Sequence, residues 1–404
     1  MKELIALFII SPFLALIQSL KHYRNSWAKN GVWLFVIFYG FTMARPEAMD
    51  SSRYVLKLQN LYNSPISLNT FLASFYNDEG GKIDIYEPTV IYLLSLITAN
   101  ANILFAVFGV VFGYFYSRNI WLLIDQMREH KMTKNLMLLL ISFSVVIGFW
   151  ELNGVRMWTA AHIFFYGAFL YFVKGHRKGV LIAASSVLVH FSFMLPVGLL
   201  FFYTFVKIPW KLSYFFYMFS FFIAELNIGA IQNMLLSRAP EFLLPKVNSY
   251  LGEEFGENVR GVYSAANWYV VYYQKSMAWF LAIMFSIIYF TKMKSIKSNK
   301  ALSMLFGFSL LFLAVGNVVS QIPSGGRFLL VAQLFGLTFI LVGILEFKDS
   351  RINSKLNMVS PLLIFYIIVS IRMSFNTITV GTVMTNPVIA FFAELPIPLI
   401  NLIK

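Results

Sequence analysis

Long apolar stretches, nearly free of charge, alternate along this chain with short basic connectors. Trp268 to Phe290 and Ala301 to Gln321 are typical, and each is long enough to cross a bilayer as a helix. The same pattern predicts spans at about 3–20, 30–45, 102–124, 136–150, 157–173, 212–225, 266–290, 301–320, 328–345, 357–373 and 387–403. Val180 to Val206 contains Pro196 and reads as two half-length helices that enter and leave on one side. Glu87 to Thr98, opened by Glu87-Pro88 as a helix N-terminus, reads as a further partial insertion. None of these stretches alternates with the two-residue period of an outer-membrane barrel. The expected fold is therefore an all-α polytopic integral membrane protein with about 11–13 transmembrane or partly inserted helices.

Composition agrees: of 404 residues, 59% are hydrophobic and 12% charged, about half the charge of a soluble domain. Cys is absent, which excludes disulfides, thiol nucleophiles and thiolate metal sites. The first apolar run, Leu4 to Leu20, lacks a small-residue cleavage site and is followed by Lys21, Arg24 and Lys29, so it reads as an uncleaved span with the N-terminus outside. With that orientation, the inner segments are Lys21–Lys29, Arg118–Lys134, Lys174–Lys178, Lys207–Lys211, Lys292–Lys300, Glu346–Lys355 and Lys404. They hold 20 of the 32 Lys and Arg but four of the 18 Asp and Glu, a net +16 against −2 elsewhere, which recovers the total of +14. The basic balance is thus a topology signal and needs no nucleic-acid partner. Two long segments, 46–86 and 227–266, fall outside, and residues 1–404 form a single membrane domain with no repeat or linker.

Ionisable groups at or near membrane depth are costly and mark cavities and pathways, so they are the candidates for chemistry. Asp50, Arg53, Tyr54 and Lys57 are spaced to share one face of a helix. Asn153-Gly154-Arg156 precedes the apolar run Met157 to Val173, and His190 stands among apolar residues where a helix is expected to break. Arg327 follows the turn Pro323-Ser324-Gly325-Gly326, and Arg372 lies near a span end where it can also serve as an anchor. No P-loop, dinucleotide fingerprint, zinc-protease or nucleophile-elbow motif is present, and neither Asp84 to Glu87 nor Glu253, Glu254 and Glu257 has a metal-ligand pattern. Outer arginines beside a histidine and carboxylates suit a diphosphate bound without metal or cofactor, since guanidinium forks match phosphate oxygens bidentately.

Leu152-Asn153-Gly154-Val155-Arg156, the basic turn Lys174 to Lys178, and Val189-His190-Phe191-Ser192 with Pro196 after it resemble the core of the EpsG-like, Wzy-type polysaccharide polymerases. Asp50 with Arg53 and Tyr54, Glu87-Pro88 and Gly326-Arg327 occur at similar positions in that family. The distinctive part covers about forty residues, and Phe191 departs from the basic or polar residue common after the histidine.

That resemblance implies an enzyme of the bacterial cytoplasmic membrane that joins oligosaccharide repeat units carried on undecaprenyl diphosphate, at the outer face. It leaves room for a chain-length regulator as partner. His190 and Asp50 are then expected in the proton chemistry, Arg156, Arg327 and Arg372 on the diphosphate, and Arg53, Tyr54, Glu87 and Asn153 on the sugars. A flippase of lipid-linked sugars or a lipid-dependent glycan ligase would use the same groups. Single cysteines at Asp50, Arg156 and Arg327 in this Cys-free chain should react with an impermeant thiol reagent on intact cells; reaction only after lysis would invert the layout.

Overall fold

Most long apolar blocks among the described residues become helices, because a chain in lipid must satisfy its backbone polar groups internally. The computed structural model describes residues 2–47, 49–75, 83–206, 208–222, 267–322, 324–393 and 395–403. The expected second outer loop, 227–266, thus lies outside the described residues. The helices in chain order are α1 (Lys2–Ile10), α2 (Pro12–Lys21), α3 (Ala28–Thr42), α4 (Asp50–Asn63), α5 (Leu68–Ala73) and α6 (Tyr86–Ser95). Then come α7 (Ala101–Gln126), α8 (Lys134–Val146), α9 (Val155–Phe172), α10 (Gly179–Val189), α11 (Met194–Phe205) and α12 (Trp210–Ser220). The remainder are α13 (Trp268–Ser298), α14 (Lys300–Val319), α15 (Gly326–Phe347), α16 (Ser350–Ser374), α17 (Val380–Met384) and α18 (Pro387–Phe392). Apart from an isolated bridge between Thr379 and Pro398, the regular structure of the described residues is helical.

Among the described residues, six stretches are long and apolar enough to cross a membrane: Ala101–Gln126, Lys134–Phe172, Trp268–Ser298, Lys300–Val319, Gly326–Phe347 and Ser350–Ser374. The second is an antiparallel pair. Phe143 meets Phe165 with ring centroids 5.1 Å apart, and the 3-10 turn Phe149–Gly154 reverses the chain between α8 and α9.

Two expected spans differ. The run at 3–20 is divided at Ser11, whose extended φ of −156° precedes Pro12; a residue before proline is pushed out of the helical region, and the Ser11 hydroxyl caps α2 instead. The run at 387–403 contains only the six-residue α18 and a 3-10 turn, Leu399–Leu402. Pro396 and Pro398 forbid a continuous helix there. The segment folds back instead, with Val380 N donating to Ile397 O and Leu399 N to Ile378 O. Thr379 in turn donates to the carbonyl of Thr42 at the end of α3.

The basic connectors converge on one end. Arg24 donates to the carbonyl of His130, Asn135 to that of Asn353, and Lys292 pairs with Asp349. The opposite end carries the 3-10 turn, Tyr39 bonded to Thr377, and the Thr42–Thr382 contact.

Small residues set the helix spacing, as expected where no hydrophobic force drives helices together. A methyl on Gly109 would lie 3.0 Å from the α3 backbone at Ile37, and one on Gly40 would lie 2.3 Å from the Phe105 carbonyl of α7. The α9–α10 contact is closer still: a methyl on Gly167 would lie 2.3 Å from Ala183 N, and one on Gly179 would lie 2.4 Å from Gly167 O. This contact fixes a register. Eleven residues back along α9 from Gly167 is Arg156, and eleven beyond Gly179 is His190, so the two reach the same level about 17 Å from the crossing.

Replacing Gly167 with valine should cost roughly 3 kcal/mol of stability by forcing the helices apart. Gly198→Ala on α11, where a methyl meets open space, should be neutral or stabilising by up to ~1 kcal/mol. Thermal melts of the two variants in detergent check this contrast.

Candidate functional site

The break between α10 and α11 exposes backbone groups that a continuous helix would have satisfied. His190 caps α10 in extended geometry, with φ −148° and ψ 114°, and a short 3-10 segment, Phe191–Phe193, leads into α11. The segment before α6 fills the gap from the other side. Ile85 N donates to the orphan carbonyl of Leu188 at 3.0 Å, and Phe191 N donates to Asp84 Oδ1 at 2.8 Å. Asp84 is thereby buried, with its side chain 6% exposed.

Its second oxygen is the hub. Asp84 Oδ2 accepts from Arg156 Nη1 at 2.9 Å and makes a 2.9 Å hydrogen bond to His190 Nδ1. Burial alone would raise the pKa of this carboxyl. The hydrogen bond and charge of His190, the Phe191 amide and the Arg156 guanidinium outweigh that, and hold it lowered to about 2. Asp84 is therefore an anion at neutral pH and can only accept, so His190 Nδ1 carries the hydrogen. In the neutral imidazole this leaves the lone pair on Nε2, which has no hydrogen-bond partner among the described residues.

A second layer comes from α4 and α6. Arg156 Nε donates to the Tyr54 hydroxyl at 3.2 Å, and the guanidinium carbon lies 5.8 Å from the Tyr54 ring centre. Burial pushes the Tyr54 phenol up to about 12 against the opposing pull of Arg156, so it stays protonated. Lys57 Nζ pairs at 3.0 Å with Glu87 Oε1, whose side chain is only 1% exposed. Tyr54 and Lys57 lie about one turn apart on α4, which places the two contacts side by side. Against this cluster stand Phe105 and Phe108 of α7, both touching the Tyr54 ring.

No family model, curated protein or solved structure matches the chain. The site must therefore be judged on its own geometry.

Of the residues singled out in the sequence, the structure brings together His190, Arg156, Tyr54 and Glu87. Asp50 and Arg53 stay at the margin: they pair with each other at 3.4 Å, and Arg53 is 77% exposed. Their shared helix face with Tyr54 is thus divided, with Tyr54 turned inward and Arg53 outward. Asn153 donates to the carbonyl of Trp150 at 3.3 Å, a bond that closes the 3-10 turn. Arg372 lies 5.8 Å from the Tyr269 ring centre and donates to the Met373 sulfur, away from the Asp84 cluster. Arg327 is exposed in the first turn of α15.

Two residues escaped the sequence reading. Asp84 looked like one member of an unremarkable acidic run, although its position just before Glu87-Pro88, at the edge of an apolar helix, was the available signal. Glu151, in the turn before Arg156, is partly buried, has no ion pair among the described residues and lies within electrostatic reach of Arg327. Among the described residues no group of three His, Asp or Glu side chains could hold a metal ion.

Because the Asp84 pKa is depressed on folding, its stabilisation is present above the unfolded value near 4 and is lost as pH falls through about 2. Asp84→Asn should lower stability by about 2 kcal/mol at pH 7. The difference from wild type should hold from pH 7 to 5 and shrink below pH ~4, as read by thermal melts across that range.

Proposed function

We propose that this chain is a membrane glycosyltransferase of the Wzy and EpsG kind, which joins lipid-diphosphate-linked oligosaccharide repeat units at the face of the bacterial cytoplasmic membrane opposite its basic loops. The observation that carries the reading is the Asp84 carboxylate held between Arg156 and His190 at 2.9 Å each, at the end of the bundle away from the basic connectors. The arrangement combines an oriented base with a fixed cation, which are the two elements such a transfer needs.

The acceptor sugar hydroxyl attacks the anomeric carbon of the donor. A new C–O bond forms, the bond from that carbon to the diphosphate oxygen breaks, and lipid diphosphate leaves with the electron pair. The hydroxyl proton passes to His190 Nε2, and Asp84 stabilises the imidazolium that results. Arg156 uses Nε and Nη1 on Tyr54 and Asp84 and keeps Nη2 for the diphosphate. Arg327 lies within electrostatic reach of Glu151, five residues before Arg156, so Arg327 is assigned to the leaving group as well. Glu87, held by Lys57, and the Tyr54 hydroxyl are the neighbouring polar groups for sugar hydroxyls. Asp50 is assigned to pairing with Arg53, and Arg372 to anchoring.

The test is purified protein in lipid nanodiscs, supplied with undecaprenyl-diphosphate-linked repeat units and no energy source. Longer glycans are expected. His190→Gln should retain no more than about 1% of the rate, because the amide cannot take the proton, and Arg156→Lys should stay below about 10%. Wild-type turnover by His190→Gln would make the imidazole structural, and transport of intact units without elongation would favour the flippase.

A further inference from the structure

A cavity lies at the other end of the bundle. A partly open space of about 770 Å³ lies where the end of α11, residues 206, 208 and 209 and the start of α12 meet the end of α13 and the start of α14. Its walls are aromatic and sulfur-rich, with Tyr203, Trp210, Tyr289 and Met293 among them. Tyr289 is fixed in place by a parallel stack on Tyr214, with centroids 4.1 Å apart and planes within 3°. Among the described residues, two cations line the cavity, Lys211 and Lys297, and no acid does.

The charge is uncompensated from within. On the same helix Lys292 is paired with Asp349, and nearby Arg128 is paired with Asp125. Neither Lys211 nor Lys297 has an ion pair among the described residues, and Lys297 Nζ instead lies 5.6 Å from the centre of the Trp210 ring. Below the mouth, α12 presents Phe215, Phe216 and Phe219 outward, each more than two-fifths exposed, as a strip suited to hydrocarbon. A cationic rim, an aromatic wall and an apolar strip in that order match an amphiphile standing in the bilayer, with its anion at the interface and its chains along the protein.

We propose that this cavity holds the headgroup of an anionic membrane phospholipid, with its phosphodiester between Lys211 and Lys297 and its acyl chains against the outward phenylalanines of α12. The site is separate from the Asp84 cluster and does not depend on the reaction assigned there. A zwitterionic lipid fits less well, because its own ammonium would meet the two lysines.

The chain's lack of cysteine makes the test direct. Ser303→Cys, at the cavity wall, is labelled with a small fluorophore, and Ser295→Cys, exposed on α13 outside the cavity, serves as the reference for bulk lipid. The labelled full-length protein is placed in phosphatidylcholine bilayers doped with equal small fractions of brominated phosphatidylglycerol or brominated phosphatidylcholine. Quenching at Ser303→Cys should favour phosphatidylglycerol by roughly five-fold or more, and the Lys211→Gln, Lys297→Gln double variant should remove that preference. Ser295→Cys should show little preference in either background. Thr204→Cys, on the opposite wall, repeats the measurement in case the label at 303 fills the cavity. Equal quenching by the two lipids at both wall positions would overturn the proposal, as would a preference that survives the double variant. Reversal of quenching by inorganic phosphate alone would assign the lysines to a soluble anion instead, and would equally overturn it.

Discussion

A helix that stops inside a membrane leaves carbonyls and amides that lipid cannot satisfy, and the rest of this structure is arranged around meeting that demand at His190. The partner is the short segment before α6. Its Ile85 amide takes the free carbonyl of Leu188, and its Asp84 carboxylate takes the free amide of Phe191. The carboxylate drawn in by backbone geometry then requires charge of its own, because an ionised acid that is 6% exposed is costly without donors. Arg156 and His190 supply them. A structural need and the most chemically distinctive cluster in the described residues are thus the same set of bonds.

The cluster depends equally on two glycines that have no chemistry. Gly167 and Gly179 let the backbones of α9 and α10 approach until a methyl would collide, and that crossing, through equal numbers of residues on each helix, delivers Arg156 and His190 to one level. Because the helices are stiff over this distance, an error at the crossing is carried to the site undiminished. The aromatic layer works from the other side. Tyr54 packs on Phe105 and Phe108 of α7, and α7 is held to α3 by its own close contact at Gly109. The position of the Arg156 guanidinium is therefore set by two helix pairs, which also pack directly on each other where Asn119 of α7 donates to the carbonyl of His162 of α9.

The two ends of the bundle use charge differently. At the Asp84 end, cations and anions are matched in buried or half-buried pairs: Arg156 with Asp84, and Lys57 with Glu87. At the lysine end, a wide cavity has cations and no anion of its own. Matched charges in a low-dielectric setting hold geometry, whereas unmatched ones wait for a partner from solution or from lipid.

The apolar blocks by themselves determined that this is an all-α membrane protein. They also placed the helix break at His190 between two half-length helices and made the loops rich in lysine and arginine, because hydrocarbon length and backbone satisfaction leave little choice. The residue types in the outer segments also marked Arg156, His190, Tyr54 and Glu87 as worth attention. What remained hidden was who meets whom. Asp84 stands 72 residues from Arg156 and 106 from His190. Its role follows from orphaned backbone groups that exist only once α10 has ended and α6 has docked beside it. The same holds for the division of α4 into an inward Tyr54 and an outward Arg53, whereas the failure of 387–403 to span follows from Pro396 and Pro398 in the sequence itself. Local pattern speaks of one helix at a time, whereas burial and pairing are settled by the neighbours each helix acquires in the folded bundle.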